Sequence, residues 1–305
     1  MIENYIKKLI DNIPQTNKQE SMDLILDGGV FNGSYQIGCL YFLREMEKQQ
    51  RIKIGKISGC SIGSLCALLY FIDKLDLSIE IYDYSIKYFK KHKKLDILHS
   101  LIDDKIRSLL PPDLHIQITK KIYITYYDVI KQKKIVKYTY SSIEDILDTI
   151  KKSSFVPFFI NGDYLYQNKY IDGMNPYIFR CSQKRPKKIL YIDLFGFDKL
   201  SYLFSVKNEK TNFHRILSGI LDIHLFFIKQ TPTQMCSYVN KWSVYLWIRN
   251  KLIKYLVEKT IFFVVICSLV AKKYVPKEFK HTLIVKFLKK VTRDLYIMML
   301  EHYCL

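Results

Sequence analysis

Alanine is almost missing from this chain: two of 305 residues, Ala67 and Ala271. Arginine is scarce too, eight of the 48 basic residues, while lysine, isoleucine, tyrosine and phenylalanine are abundant. Such a skew matches AT-rich coding, so part of the net charge of +19 is compositional and only the remainder asks for an anionic partner. The seven cysteines include no C-x-x-C pair, which excludes zinc-ribbon and thioredoxin-type spacings. Single thiols such as Cys39 and Cys66 read as small core residues in a reducing compartment. No metal-ligand cluster is visible, so no metal, calcium included, and no cofactor is expected. No zinc-finger or RNP-type motif is present either, which disfavours a nucleic-acid partner. The first residues lack an apolar core segment, residue 2 is not glycine and Cys304 is next to last. Secretion, myristoylation and prenylation are therefore not expected, and a cytoplasmic protein is.

Glycine is also sparse, yet seven of the 11 (Gly28, Gly29, Gly33, Gly38, Gly55, Gly59 and Gly63) fall within positions 28 to 63. Met22 to Leu26 reads as a buried strand that ends at Asp27-Gly28-Gly29-Val30-Phe31-Asn32-Gly33. Tyr35, Cys39, Phe42 and Met46 then mark one face of a helix to about Lys48. The pattern repeats with a strand from Ile54 to Cys60, the turn Gly59-Cys60-Ser61-Ile62-Gly63, and a helix striped by Leu65, Leu68, Leu69 and Ile72. Strand, turn and helix in this order imply a parallel sheet, with both glycine-rich turns at the carboxyl ends of its strands, where ligands bind.

Gly-x-Ser-x-Gly is the spacing of a nucleophile elbow: the glycines clear room and the serine stands at a helix N-terminus, where negative charge is favoured. The first loop offers consecutive amides that suit either a phosphate or a tetrahedral oxyanion. It is not a nucleotide loop by its letters, because Gly33 is followed by Ser34 without lysine and the glycines do not spell G-x-G-x-x-G. A base must take the Ser61 proton. None of the seven histidines sits in a marked context, whereas Asp172 ends a short strand in an Asp-Gly turn.

These residues resemble the patatin-like phospholipases, whose order is a glycine-rich loop, a Gly-x-Ser-x-Gly elbow and a distant Asp-Gly. Asp27 to Gly33, Gly59 to Gly63 and Asp172-Gly173 stand in that order, and Ser153-Ser154-Phe155-Val156-Pro157 resembles a further family segment. The resemblance covers roughly residues 20 to 200. It implies an α/β three-layer sandwich with a mostly parallel central sheet, plus a C-terminal helical region. It also implies a Ser-Asp dyad: Ser61 attacks the ester, Asp172 takes the proton, and amides of Gly28, Gly29, Val30 and Gly33 hold the oxyanion. The substrate would be a phospholipid or another acyl lipid. An acyltransferase using the same serine and a catalytically silent membrane binder share these residues. Three positions depart from the family pattern: Val30 replaces a glycine and is strained if its φ is positive, Asn32 replaces Arg/Lys, and Met174 replaces a small residue.

The expected organisation is an extension over 1–20, the hydrolase domain over 21–200 and a basic helical region over 201–305. Residues 121–128 and 134–140 read as a hairpin. Ser141 reads as the N-cap of the next helix, and residues 190–195 as a later strand. In residues 236–305, 13 Lys/Arg face four Asp/Glu. Ile284, Leu288, Val291 and Leu295 stripe a helix whose other faces carry Lys286, Lys289, Lys290 and Arg293. With Trp242 and Trp247 upstream, this suits peripheral contact with an anionic membrane. Thr260 to Ala271 is free of charge, but as a helix it reaches about 18 Å against about 30 Å of hydrocarbon, so a buried core helix is the expectation and an interfacial segment the alternative.

Overall fold

A computed structural model describes residues 2–14, 18–180, 187–195, 203, 205–207 and 209–274, with 282, 283, 287, 290, 291, 294, 295, 297, 298 and 301 beyond them. The chain opens with α1 (Ile2–Asp11) and β1 (Glu20–Leu26), followed after the first glycine-rich turn by α2 (Gly33–Lys48), β2 (Ile52–Cys60) and α3 (Ile62–Phe71). Helices α4 (Leu77–His92), α5 (Ile97–Leu101) and α6 (Leu114–Ile118) lead to the hairpin β3 (Ile122–Asp128) and β4 (Lys133–Lys137). Then come α7 (Ile143–Ser153), β5 (Tyr170–Asp172), β6 (Lys188–Ile192), α8 (Phe213–Lys229) and β7 (Cys236–Tyr238). The last elements are α9 (Val244–Ile248), one π-helical turn (Arg249–Ile253) and α10 (Lys254–Tyr274).

The described strands form one sheet in the order β4-β3-β2-β1-β6-β7, with β5 paired to β3. The inner strands β3, β2, β1 and β6 are mutually parallel, and β4, β5 and β7 pair antiparallel. This is the α/β architecture that the strand-turn-helix repeat implies. Alternate residues of β1 and β6 go to opposite faces. Met22, Leu24, Leu26, Leu190 and Ile192 enter the main core with α1, α2, α3, α7 and α8, whereas Ile25, Ile189 and Tyr191 pack under Phe179 and Trp242. With both faces covered, β1 is a continuous apolar run at its carboxyl end.

Three local expectations change. The N-cap of α7 is Ser142, whose hydroxyl accepts the Asp145 amide, while Asp145 reaches back to the Ser141 amide. The stripe on α2 is only part of its buried surface, because α8 packs across its back. A Cβ on Gly38 would lie 2.0 Å from the Ile216 carbonyl oxygen, so the two helix backbones touch where side chains are absent. Residues 213–238 of the region set off at 201 thus belong to the same core and sheet as β1.

The third change concerns α10. It is not a buried core helix: Phe263 is 67% exposed, and Leu256 and Val270 are also exposed, while its inward stripe carries Lys254, Glu258 and Val265. The polar inward residues have partners on the sheet, so the apolar ones are left outside. Val244 (77%), Tyr245 and Trp247 on α9 continue that outer face. Among the described residues no helix is long and apolar enough to cross a membrane. Most of the stripe expected over residues 284–295 lies outside the described residues.

Candidate active site

β2 ends at Cys60, which pairs with Thr125 of β3. At the next residue the chain leaves the sheet: Ser61 has φ 52° and ψ −130°, a left-handed position for a non-glycine residue, and α3 starts directly after it. The turn is this tight because its glycines allow it. A Cβ on Gly59 would meet the Gly63 carbonyl oxygen at 2.5 Å, and one on Gly63 would meet the Leu26 and Asp27 carbonyl oxygens at 2.6 Å. The Ser61 amide donates to Ser153 Oγ (2.9 Å), and that hydroxyl donates to the Thr125 carbonyl (2.7 Å). Ser153, fully buried at the end of α7, thereby ties the elbow to β3.

Where β2 has departed, β5 takes its place. Tyr126, the residue after Thr125, pairs with Asp172. This register brings Asp172 beside Ser61 across a sequence gap that no local pattern could bridge. The Asp172 carboxylate accepts the Met174 amide at 2.7 Å, and the Ser61 side chain stands near enough to favour its ionised form. Burial pushes its pKa up to about 6, against the pull of Ser61 and of the Met174 amide. Gly173 is required here because a Cβ would fall 2.1 Å from the Thr125 carbonyl oxygen.

The glycine-rich loop lies against the elbow. Gly28 would place a Cβ 3.1 Å from Ser61 Cβ, Gly29 packs on Leu194, and Gly33 on Ile62. Two of these amides are already used: Gly28 donates to Asp27 Oδ1 (3.1 Å), and Gly33 to carbonyls of the preceding turn. The amides of Gly29 and Val30 donate to no other group among the described residues. They are joined by Ile62, the first residue of α3, whose amide has no acceptor within the helix. Reading the sequence for glycines passes over this last donor, though its place directly after the elbow serine marks it. Val30 has φ 43°, so the strain expected of a β-branched residue there is present. Asn32 is buried, and its Oδ1 accepts from Arg215 Nη1 at 2.8 Å. The buried cation beside position 32 is Arg215 of α8, with Glu209 as its counter-ion.

Asp27 is fully buried. Its carboxylate also accepts from Leu194 N (3.3 Å) and from Lys254, which reaches down from α10 to Tyr191 and Asp193 as well. Burial lifts Asp27 to about 7 against the attraction of Lys254. Asp193 stays low despite burial, because Lys254 and Arg249 both face it. One turn further along α10, Glu258 pairs with Lys134 (2.7 Å) and accepts from Asn175 Nδ2 (2.8 Å), in the Asp172 turn. α10 is therefore fastened to both loops. No local pattern signals this, because Lys254 and Glu258 look like ordinary surface charges.

Beneath α10 lies a cavity of about 540 Å³ reaching Ser61 and Asp172, lined also by Gly29, Phe195, Asn250 and Val257. A smaller apolar pocket of about 80 Å³ opens on the other side of Ser61, between Phe31, Leu65, Leu98 and Phe159. Among the described residues no histidine lines either space. Ser61 thus stands at a junction of two mostly apolar spaces with a buried carboxylate lining the same cavity. Such a serine can attack a carbonyl when the carboxylate takes its proton.

No curated protein matches the chain. Residues 24–91, which run from β1 through both glycine-rich turns and α3 into α4, match the family model of the patatin-like phospholipases.

Proposed function

We propose that the protein hydrolyses the acyl esters of membrane phospholipids through Ser61 and Asp172. The observation that carries this reading is a serine held at φ 52° beside a buried aspartate, at the junction of the two spaces. Ser61 Oγ attacks the ester carbonyl as its proton passes to Asp172. The carbonyl oxygen becomes an oxyanion, held by the amides of Gly29, Val30 and Ile62 and by the N-terminal end of α3. The tetrahedral species collapses, and the departing alcohol takes the proton from Asp172. Water then gives its proton to Asp172 and attacks the acyl-Ser61 ester, and the acid leaves as Ser61 recovers its hydrogen. The apolar pocket behind Ser61 suits the acyl chain, and the cavity under α10 suits the rest of the lipid. The outward face of α9 and α10, with Lys251 and Lys259 beside its apolar residues, suits peripheral contact with an anionic bilayer.

A fluorophosphonate probe labels the native protein, and Ser61→Ala abolishes the labelling. Labelling that survives this substitution removes Ser61 from the reaction. Asp172→Asn folds but loses turnover on phospholipid vesicles; full turnover in that variant removes Asp172 as the base.

A further inference from the structure

The inward stripe that runs from the π-helical turn into α10 holds three polar residues at i, i+4 and i+8: Asn250, Lys254 and Glu258. Two of them are matched, Lys254 by Asp27 and Asp193 and Glu258 by Lys134 and Asn175. Asn250 is not. It is 5% exposed, and both its Nδ2 and its Oδ1 lack a hydrogen-bond partner among the described residues. No other buried carboxamide among the described residues has both ends unpaired in this way. Buried amides are normally paired, so an unpaired one on a cavity wall marks a place where something else binds. The wall in question is that of the Ser61 cavity.

The neighbours of Asn250 define the chemistry. Arg249, also on this wall, uses one Nη toward Asp193 Oδ2, and a guanidinium has further N–H donors. Lys254 stands one turn on, sharing Asp27 and Asp193. The remaining lining here, Ile253, Val257 and Ile261, is apolar. All these residues lie in or just after the π-helical turn, a geometry often found at functional sites.

We propose that Arg249 and Asn250 form a head-group subsite for a phosphodiester. Arg249 and Asn250 Nδ2 donate to phosphate oxygens, and Asn250 Oδ1 accepts from a hydroxyl or ammonium of the same head group. A glycerophospholipid carries both kinds of group on one molecule. The subsite makes the enzyme selective for phospholipid over esters without a head group, and it rests on the hydrolase reading above for its link to Ser61.

The test has two arms so that the two readings can fail separately. In the first, full-length Ser61→Ala protein is titrated by calorimetry with glycerophosphoglycerol, inorganic phosphate and glycerol. Glycerophosphoglycerol binds, and binding is lost in the double variant with Asn250→Leu. Inorganic phosphate binding equally well identifies a free-anion site and overturns the head-group assignment, as does the absence of any binding. In the second arm, kcat/KM is compared on phosphatidylglycerol vesicles and on p-nitrophenyl butyrate. Asn250→Leu and Asn250→Asp lower the ratio of the two by about tenfold or more, because a site built for hydrogen bonding discriminates strongly. An unchanged ratio means a purely structural or water-filled Asn250 and overturns the proposal. If the wild type cleaves neither ester, the hydrolase reading falls, while the calorimetric arm still decides the subsite. Arg249→Gln serves as the second variant if Asn250→Leu does not fold.

Discussion

On the proposed reading, Ser61 acts under two constraints that can be separated by substitution. The first is its base. Asp172 must be ionised to take a proton, and burial sets its pKa at about 6. Protonation below that value removes the base, so kcat/KM falls about tenfold per unit of pH on the acid side and levels off above about 7. A pH profile on a soluble ester reads this directly. An acid limb near 4 would mean a solvated carboxylate is at work. The second constraint is Ser153. Ser153→Ala leaves the buried Ser61 amide and the Thr125 carbonyl without their shared hydroxyl, which costs about 1–3 kcal/mol in a denaturant titration. With its tie to β3 gone the elbow loosens, and kcat drops more than KM changes. The candidate residues themselves were legible. Gly-x-Ser-x-Gly and Asp-Gly are local spellings with steric reasons, and the Val30 strain was foreseen from its β-branched side chain. Arg215 was not legible, because nothing in the letters around it points 183 residues back to Asn32.

At the scale of elements, the sheet was readable up to β3 because each strand ends in a glycine-rich turn or a hairpin. The role of β5 was hidden. Three residues long, it is too short to carry a periodic signal, yet its register sets Asp172 beside Ser61. α10 was misread for a different reason: twelve uncharged residues look like core, but the sheet takes the helix by its charges. The same inversion gives a prediction. Lys254→Met strips the buried Asp27 of its cation and leaves Asp193 with Arg249 alone, and breaking a buried pair from one side destabilises by about 3–5 kcal/mol. Urea unfolding measures it. A loss below about 1 kcal/mol, the range of exposed pairs, would mean that Lys254 contributes no more than a surface charge. Glu258→Gln keeps a hydrogen-bonding group opposite Asn175 and Lys134, and is the milder change.

For the whole molecule, the question opened by +19 becomes one of distribution. Val244, Tyr245, Trp247, Leu256 and Phe263 are exposed together on α9 and α10, far more apolar surface in one place than scattered leucines would give. Lysines border it, and residues 236–305 hold a net +9, 13 basic minus four acidic. Trp247→Ala together with Phe263→Ser lowers the affinity for phosphatidylglycerol vesicles, read by sedimentation, by about a hundredfold or more, since each buried aromatic contributes about 1.5–3 kcal/mol. Raising the salt weakens the binding of both proteins, as it screens the lysines. Vesicle binding unchanged in the double variant would place the lipid contact elsewhere on the surface.

The fastening of α10 also orders events in time. A ribosome delivers β1 and its glycine-rich loop early and Lys254 much later. Until that lysine emerges, Asp27 and Asp193 are two neighbouring carboxylates without a cation, and the cavity over Ser61 has no roof. On the proposed reading, a half-made chain therefore carries its nucleophile but not its finished site. On that same reading, the cell that translates it is spared a working hydrolase until synthesis has passed residue 254.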